Sequence, residues 1–153
     1  MPAGKDSMTS HTNEALLRRF YDEAFGKGKL SMVDEQLDRN FVDHEPLPPG
    51  VKPGPEGIKQ LISALRMGFP DLQVAVHGTV SQGDKVWAHV TLSGTHKGAF
   101  MNIPPTGKRV SWEGMDIVRY SGGKAMEHWG ITDNMGLLTQ IGAIPAPGQP
   151  PKK

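Results

Sequence analysis

Near the start of the chain the apolar residues recur at helical spacing. Leu16, Leu17, Phe20, Tyr21, Ala24 and Phe25 share one side of a helix that Thr12 or Asn13 can cap and that Gly26 and Gly28 end. Ser31 to Asp34 has the form of a capping box opening a short helix through Leu37, and Phe41 to His44 reads as a brief strand. The stretch PLPPGVKPGPEG holds five of the thirteen prolines, so it sustains neither helix nor interior strand and is predicted to form a lid or rim with His44 at its edge. Pro55 then starts a second long helix with Ile58, Leu61, Ile62, Leu65 and Phe69 on one face.

Beyond Leu72 the period changes to two. Residues 72–80 and 85–95 alternate as two strands around a turn at Gly83, with Val86, Ala88, Val90 and Leu92 expected inward and Trp87 and His89 outward. The following strand carries Val110, Trp112, Gly114, Asp116 and Val118 on one face and Ser111, Glu113, Met115, Ile117 and Arg119 on the other. Neither set is wholly polar, so both faces are predicted to meet protein. The turn YSGGK allows two hairpin registers: a two-residue loop sets Asp116 opposite Trp129, and a three-residue loop sets Asp116 opposite His128 and Gly114 opposite Gly130. The second is preferred, because it brings a carboxylate and an imidazole onto one face.

At 153 residues the chain suits one domain, expected over residues 12–145 between a disordered leader (1–11) and a flexible, proline-rich tail (146–153). Seventeen basic and sixteen acidic side chains leave a net charge of +1, which gives no field to gather nucleic acid or an anionic membrane. With no cysteine there is no disulfide framework and no thiolate chemistry. The opening segment lacks an apolar signal stretch, and no run reaches the ~18 apolar residues of a membrane span. A cytoplasmic protein is therefore expected. The six histidines show no HExxH or other metal spacing, and no GxGxxG, GxxxxGK[ST] or GxSxG run occurs, so neither metal nor cofactor is predicted.

The segments GTHKGAFMNIPPTGKRVSWEGMDIVRY and GKAMEHWGITDNMGLLTQIGAIP, with FPDL at residues 69–72 and FVDH at residues 41–44, resemble the SnoaL-like polyketide cyclase and ester cyclase family of the NTF2-like superfamily. The resemblance covers nearly all of residues 12–145. It implies an α+β fold: an NTF2-like (cystatin-like) cone, in which a curved mixed or antiparallel sheet wraps on about three helices, with a small hydrophobic ligand inside and a homodimer formed through the outer sheet face. It also implies an acid/base aspartate directly after the EHW triplet, the position held here by Gly130.

The candidate catalytic groups are therefore Asp116, His128 and Asp133. A carboxylate desolvated in an apolar cone is a stronger base than one in water, and an imidazole beside it completes the means for proton transfer. Tyr21, His44, Trp112, Gly114, Trp129 and Gly130 are the expected ligand contacts, Gly130 leaving space for a bulky ligand. The predicted function is cofactor-independent acid/base chemistry on a hydrophobic carbonyl compound, a cyclisation or isomerisation. The alternatives are hydrolysis of an epoxide by activated water and a non-catalytic binding protein for an apolar small molecule.

Overall fold

A computed structural model describes residues 3–150 of the chain; the first two residues of the expected leader and the last three of the expected tail lie outside the described residues. Helix α1 (Ala3–Phe20) passes directly into a π-helical turn (Tyr21–Gly26). The helix thus begins well before Thr12 or Asn13. Asn13 is a buried residue within it rather than a cap. The Arg66 side chain closes the other end, donating from Nη1 to the carbonyls of Phe25 (2.9 Å) and Gly26 (2.8 Å).

Helix α2 (Ser31–Gln36) lacks the expected capping box. The amides of Met32 and Val33 already bond to the carbonyls of Lys29 and Leu30, so Ser31 lies inside the turn, and Asp34 pairs with Lys59 at 2.9 Å instead. Strand β1 (Leu37–Asp43) follows at once and is longer than the Phe41–His44 segment predicted. Helix α3 (Gly54–Gly68) carries a proline in its first turn and buries Ile58 and Ile62, as its apolar spacing requires.

Strands β2 (Gln73–Gln82), β3 (Lys85–Thr95), β4 (Arg109–Ser121) and β5 (Lys124–Thr132) and helix α4 (Asn134–Gln140) complete the fold. The sheet order is β1-β5-β4-β3-β2, antiparallel except for β1 alongside β5. Register shifts interrupt the β1–β5, β2–β3 and β4–β5 ladders. Such irregularities add twist and bend to a sheet, and they accompany the curvature of the α+β cone expected of this chain. The inner face carries Val86, Ala88 and Val90 from β3 and Val110, Trp112 and Val118 from β4, all buried, and it packs against α1 and α3. Among the described residues no second sheet covers the outer face, where Glu113 and Met115 are exposed. No helix among the described residues is long and apolar enough to cross a membrane.

The β4–β5 hairpin follows neither predicted register. Its loop has two residues, Gly122 and Gly123, both at positive φ (57° and 78°), as a type I′ turn demands. A bulge then places Met126 between the pairs Tyr120↔Ala125 and Arg119↔Glu127, so Asp116 lies opposite Gly130, Gly114 opposite Thr132 and Val118 opposite His128. The extra residue reverses the facing of β5 beyond it. His128 consequently points inward as a diagonal neighbour of Asp116, within reach of its carboxylate.

Candidate active site

A cavity of about 440 Å³ opens between the inner face of the sheet and the helices. Its walls are mainly apolar, with Phe20, Phe41, Ile58, Leu61, Val90 and Trp112 among them. That volume falls within the range of small-molecule sites, roughly 300–1,000 Å³. Polar side chains gather where β1, β4 and β5 meet the start of the π-helical turn.

Asp116 is central to this cluster. Its Oδ1 accepts a hydrogen bond from His128 Nε2 at 2.7 Å, and its Oδ2 accepts a short one from the Tyr21 hydroxyl. The other ring nitrogen of His128, Nδ1, donates to Asp43 Oδ1 at 2.8 Å. Asp43 Oδ1 also accepts the Glu45 amide at 3.0 Å, which fixes the chain just beyond β1. The parallel pairing of Asp43 with His128 brings the two residues together, and the inward alternation Phe41, Asp43, Glu45 carries a second carboxylate from the same segment to the cavity. Glu45 Oε1 accepts from the Thr132 hydroxyl at 3.2 Å.

The electrostatics follow from this geometry. Burial works to lower the pKa of His128, but hydrogen bonds to Asp116 and Asp43 and the charges of both carboxylates outweigh it and push the value up to about 10. The ring is an imidazolium at neutral pH, with both N–H groups engaged. Burial raises the Glu45 carboxyl above its ordinary range, the positive charge of His128 opposes the rise, and the charges of Asp116 and Asp43 add to it. Burial and the adjacent Asp116 charge likewise hold the proton on Tyr21 to higher pH than usual. Asp43, Glu45 and His128 each offer a possible metal-ligating atom within 4.8 Å of the others. A cation would nevertheless have to displace the proton from an imidazolium stabilised by two carboxylates, so this donor set fits a proton better than a metal.

Of the residues singled out in the sequence, Tyr21, Trp112, Gly114, Asp116 and His128 line the cavity. Three others lie elsewhere. His44, one residue past the end of β1, and Trp129 on β5 each alternate with an inward neighbour and so point to the outer face, where their rings stack at 4.7 Å and His44 reaches Glu127 at 3.4 Å. Asp133 caps α4, accepting the Gly136 amide at 2.9 Å, and is exposed; its carboxylate serves the helix rather than the cavity. Gly130 lies at the site without contributing a side chain. The proline-rich loop behaves differently from the histidine at its edge: Pro46, Leu47, Pro48 and Val51 line the cavity while His44 turns away.

The polar residues of the cavity that were not among the sequence candidates include Asp43, Glu45 and Gln36. Asp43 and Glu45 fall on the period of two that starts at Phe41, but the local sequence does not mark that face as the inward one. Gln36, at the junction of α2 and β1, is 2% exposed, lines the cavity, and has an Nε2 without a hydrogen-bond partner among the described residues. No periodicity marks it.

The family profile of the SnoaL-like polyketide cyclases matches residues 15–141. Nogalonic acid methyl ester cyclase from Streptomyces nogalater is 30% identical over 120 residues, which is 78% of this chain and 90% of that protein. Aklanonic acid methyl ester cyclase DauD from Streptomyces sp. strain C5 is 31% identical over 134 residues, 83% of this chain and 80% of its own length. Among solved structures, TsrD from Streptomyces laurentii superposes with a TM-score of 0.78 at 29% identity, covering 88% of this chain and 97% of TsrD.

Proposed function

We propose, for a chain that belongs to the SnoaL-like polyketide cyclase family, that it closes a ring in a hydrophobic polyketide ester by an intramolecular aldol reaction, with Asp116 as the base. The observation that carries this reading is the Tyr21–Asp116–His128–Asp43 chain of hydrogen bonds at the polar end of an apolar cavity. The two relatives named for methyl ester cyclisation supply the substrate class: a polyketide methyl ester with an acidic C–H next to its carbonyl groups.

The roles follow from the bonding. At neutral pH the protonated His128 ring is no base; it holds the Asp116 carboxylate in place and compensates its charge, while Asp43 fixes the ring from the other side. Tyr21 fixes the second Asp116 oxygen. The carboxylate takes the acidic carbon-bound proton, the resulting enolate carbon attacks a ketone carbon of the same molecule, and a C–C bond forms as the C=O π bond breaks. The electron pair left on the ketone oxygen must receive a proton. The open Gln36 Nε2 donor suits a substrate carbonyl held elsewhere along the cavity.

Aklanonic acid methyl ester and nogalonic acid methyl ester are the substrates to try, with ring closure followed by chromatography and mass-resolved product identity. Asp116→Asn preserves size and most hydrogen bonding but removes the base, so turnover is expected to fall by roughly 10²–10⁴ with the fold intact. Full activity in that variant would eliminate Asp116 as the base. Chelator treatment is expected to leave turnover unchanged, because the only grouped metal donors among the described residues include the imidazolium. Loss of activity on chelation, restored by a divalent cation, would overturn the metal-free reading.

A further inference from the structure

We infer that Glu45 is the proton donor to the oxygen on which the ring closes, and that the absence of a side chain at Gly130 is what admits it to the site. The inference rests on the cyclase reading above and names the group that reading leaves open.

The other ionisable groups of the cavity are engaged or hold their protons too firmly; the Tyr120 hydroxyl lines it, but burial keeps it protonated to higher pH than usual. Both N–H groups of His128 are committed to carboxylates. The Tyr21 hydroxyl is committed to Asp116 and gives up its proton only with difficulty. Asp43 lies behind the imidazole, with one oxygen accepting two hydrogen bonds. Among the acids of this cluster, that leaves Glu45. It lines the cavity, receives from Thr132 on only one of its oxygens, and is held protonated to higher pH by burial than an exposed glutamate would be.

The space at Gly130 places that carboxyl beside the reacting groups. A Cβ on residue 130 would come within 2.7 Å of Glu45 Oε2, 2.8 Å of Asp116 Oδ1 and 2.8 Å of His128 Cε1. The Glu45 and Asp116 oxygens therefore converge on one point, and the point is vacant only because residue 130 is glycine. A carboxyl reaches this space from the segment beyond β1 instead of from β5.

The proton balance closes on these two groups. Asp116 receives the proton from carbon, and Glu45 releases its own to the new alkoxide as the C–C bond forms. The protonated Asp116 then returns a proton to the Glu45 carboxylate, directly or through water, so the reaction consumes none.

The test separates the two halves of the reaction. In D2O the wild type is expected both to close the ring and to exchange deuterium into the acidic C–H of recovered substrate. Glu45→Gln retains the acceptor for Thr132 and is expected to keep the exchange while ring closure falls by roughly 10²–10⁴. Asp116→Asn is expected to lose both. Glu45→Asp, which retains an acid but withdraws it by one methylene, is expected to fall between the wild type and Glu45→Gln in closure, and it provides a second folded test if the amide variant melts early. Ring closure in Glu45→Gln within a few-fold of wild type overturns the assignment while the cyclase reading stands. Loss of exchange along with closure in a folded Glu45→Gln also overturns it, because the residue would then serve the base step. A wild type that performs neither exchange nor closure removes the cyclase reading and this inference with it.

Discussion

His128 holds a proton between two carboxylates, and that proton ties stability to pH. Its pKa rises from 6.5 to about 10 in the folded protein, so the native state binds the proton more tightly than the unfolded chain does. The stabilisation is complete below the unfolded value and is lost as pH rises through the folded one. The urea midpoint is therefore expected to decline between pH 7 and pH 10, and Asp43→Asn, which removes one of the two partners and so lowers the folded value, should make that decline smaller and end it at lower pH. A wild-type midpoint that stays level across this range would mean that the ring is not charged in the folded state. Asp116 was legible in the sequence because it interrupts the inward set Val110, Trp112, Gly114, Val118 of an otherwise apolar strand face. Asp43 and Glu45 were not, because a charged DHE run next to a proline-rich loop has the composition of a solvated turn. Only the parallel pairing of β1 with β5, a contact distant in sequence, turns its alternate residues inward.

At the scale of elements, one position left out of the β4–β5 ladder decides which way β5 faces. Alternation, the amphipathic face of α3 and the turn glycines could all be read locally, since each depends on spacing within a few residues. The bulge at Met126 could not, because nothing in the composition of GKAMEHW marks an unpaired position. With the two-residue loop and no bulge, His128 would oppose Ile117 and face outward. Deleting Met126 removes only the extra residue and leaves Ala125 opposite Tyr120, Glu127 opposite Arg119 and His128 opposite Val118, so His128 is expected to stay inward. The predicted outcome is cooperative unfolding in urea and a folded protein that retains turnover. Likewise, Gly122→Asn keeps a residue that tolerates positive φ in the same turn, and its melting temperature should stay within a few degrees of wild type. A Met126 deletion that folds but lacks turnover would show that the bend of the bulge, and not only the facing it sets, shapes the site.

At the scale of the whole molecule, nothing among the described residues covers the outer sheet face, and we propose that a second copy of the chain covers it. Trp87, Ile117 and Trp129 form a cross-strand row over β3, β4 and β5, and Met115 and Ile131 form the next pair along. Met115 is 55% exposed and Ile131 79%, values at which such side chains gain little from the fold of one chain. Apolar surface spread over three neighbouring strands is a contiguous patch rather than scattered residues, and self-association through a two-fold axis is the commonest way for such a patch to leave water. The cavity lies on the opposite face of the sheet, so association and the site can be tested separately. Sedimentation at micromolar concentration is expected to give twice the 16.6 kDa chain mass, and Ile131→Lys to give the single-chain mass. Because Ile131 is largely exposed in one chain, the lysine should not weaken the fold of the monomer itself, so a change in mass reports on the interface. A wild type that sediments at the single-chain mass would leave the exposed row without a partner and withdraw the dimer.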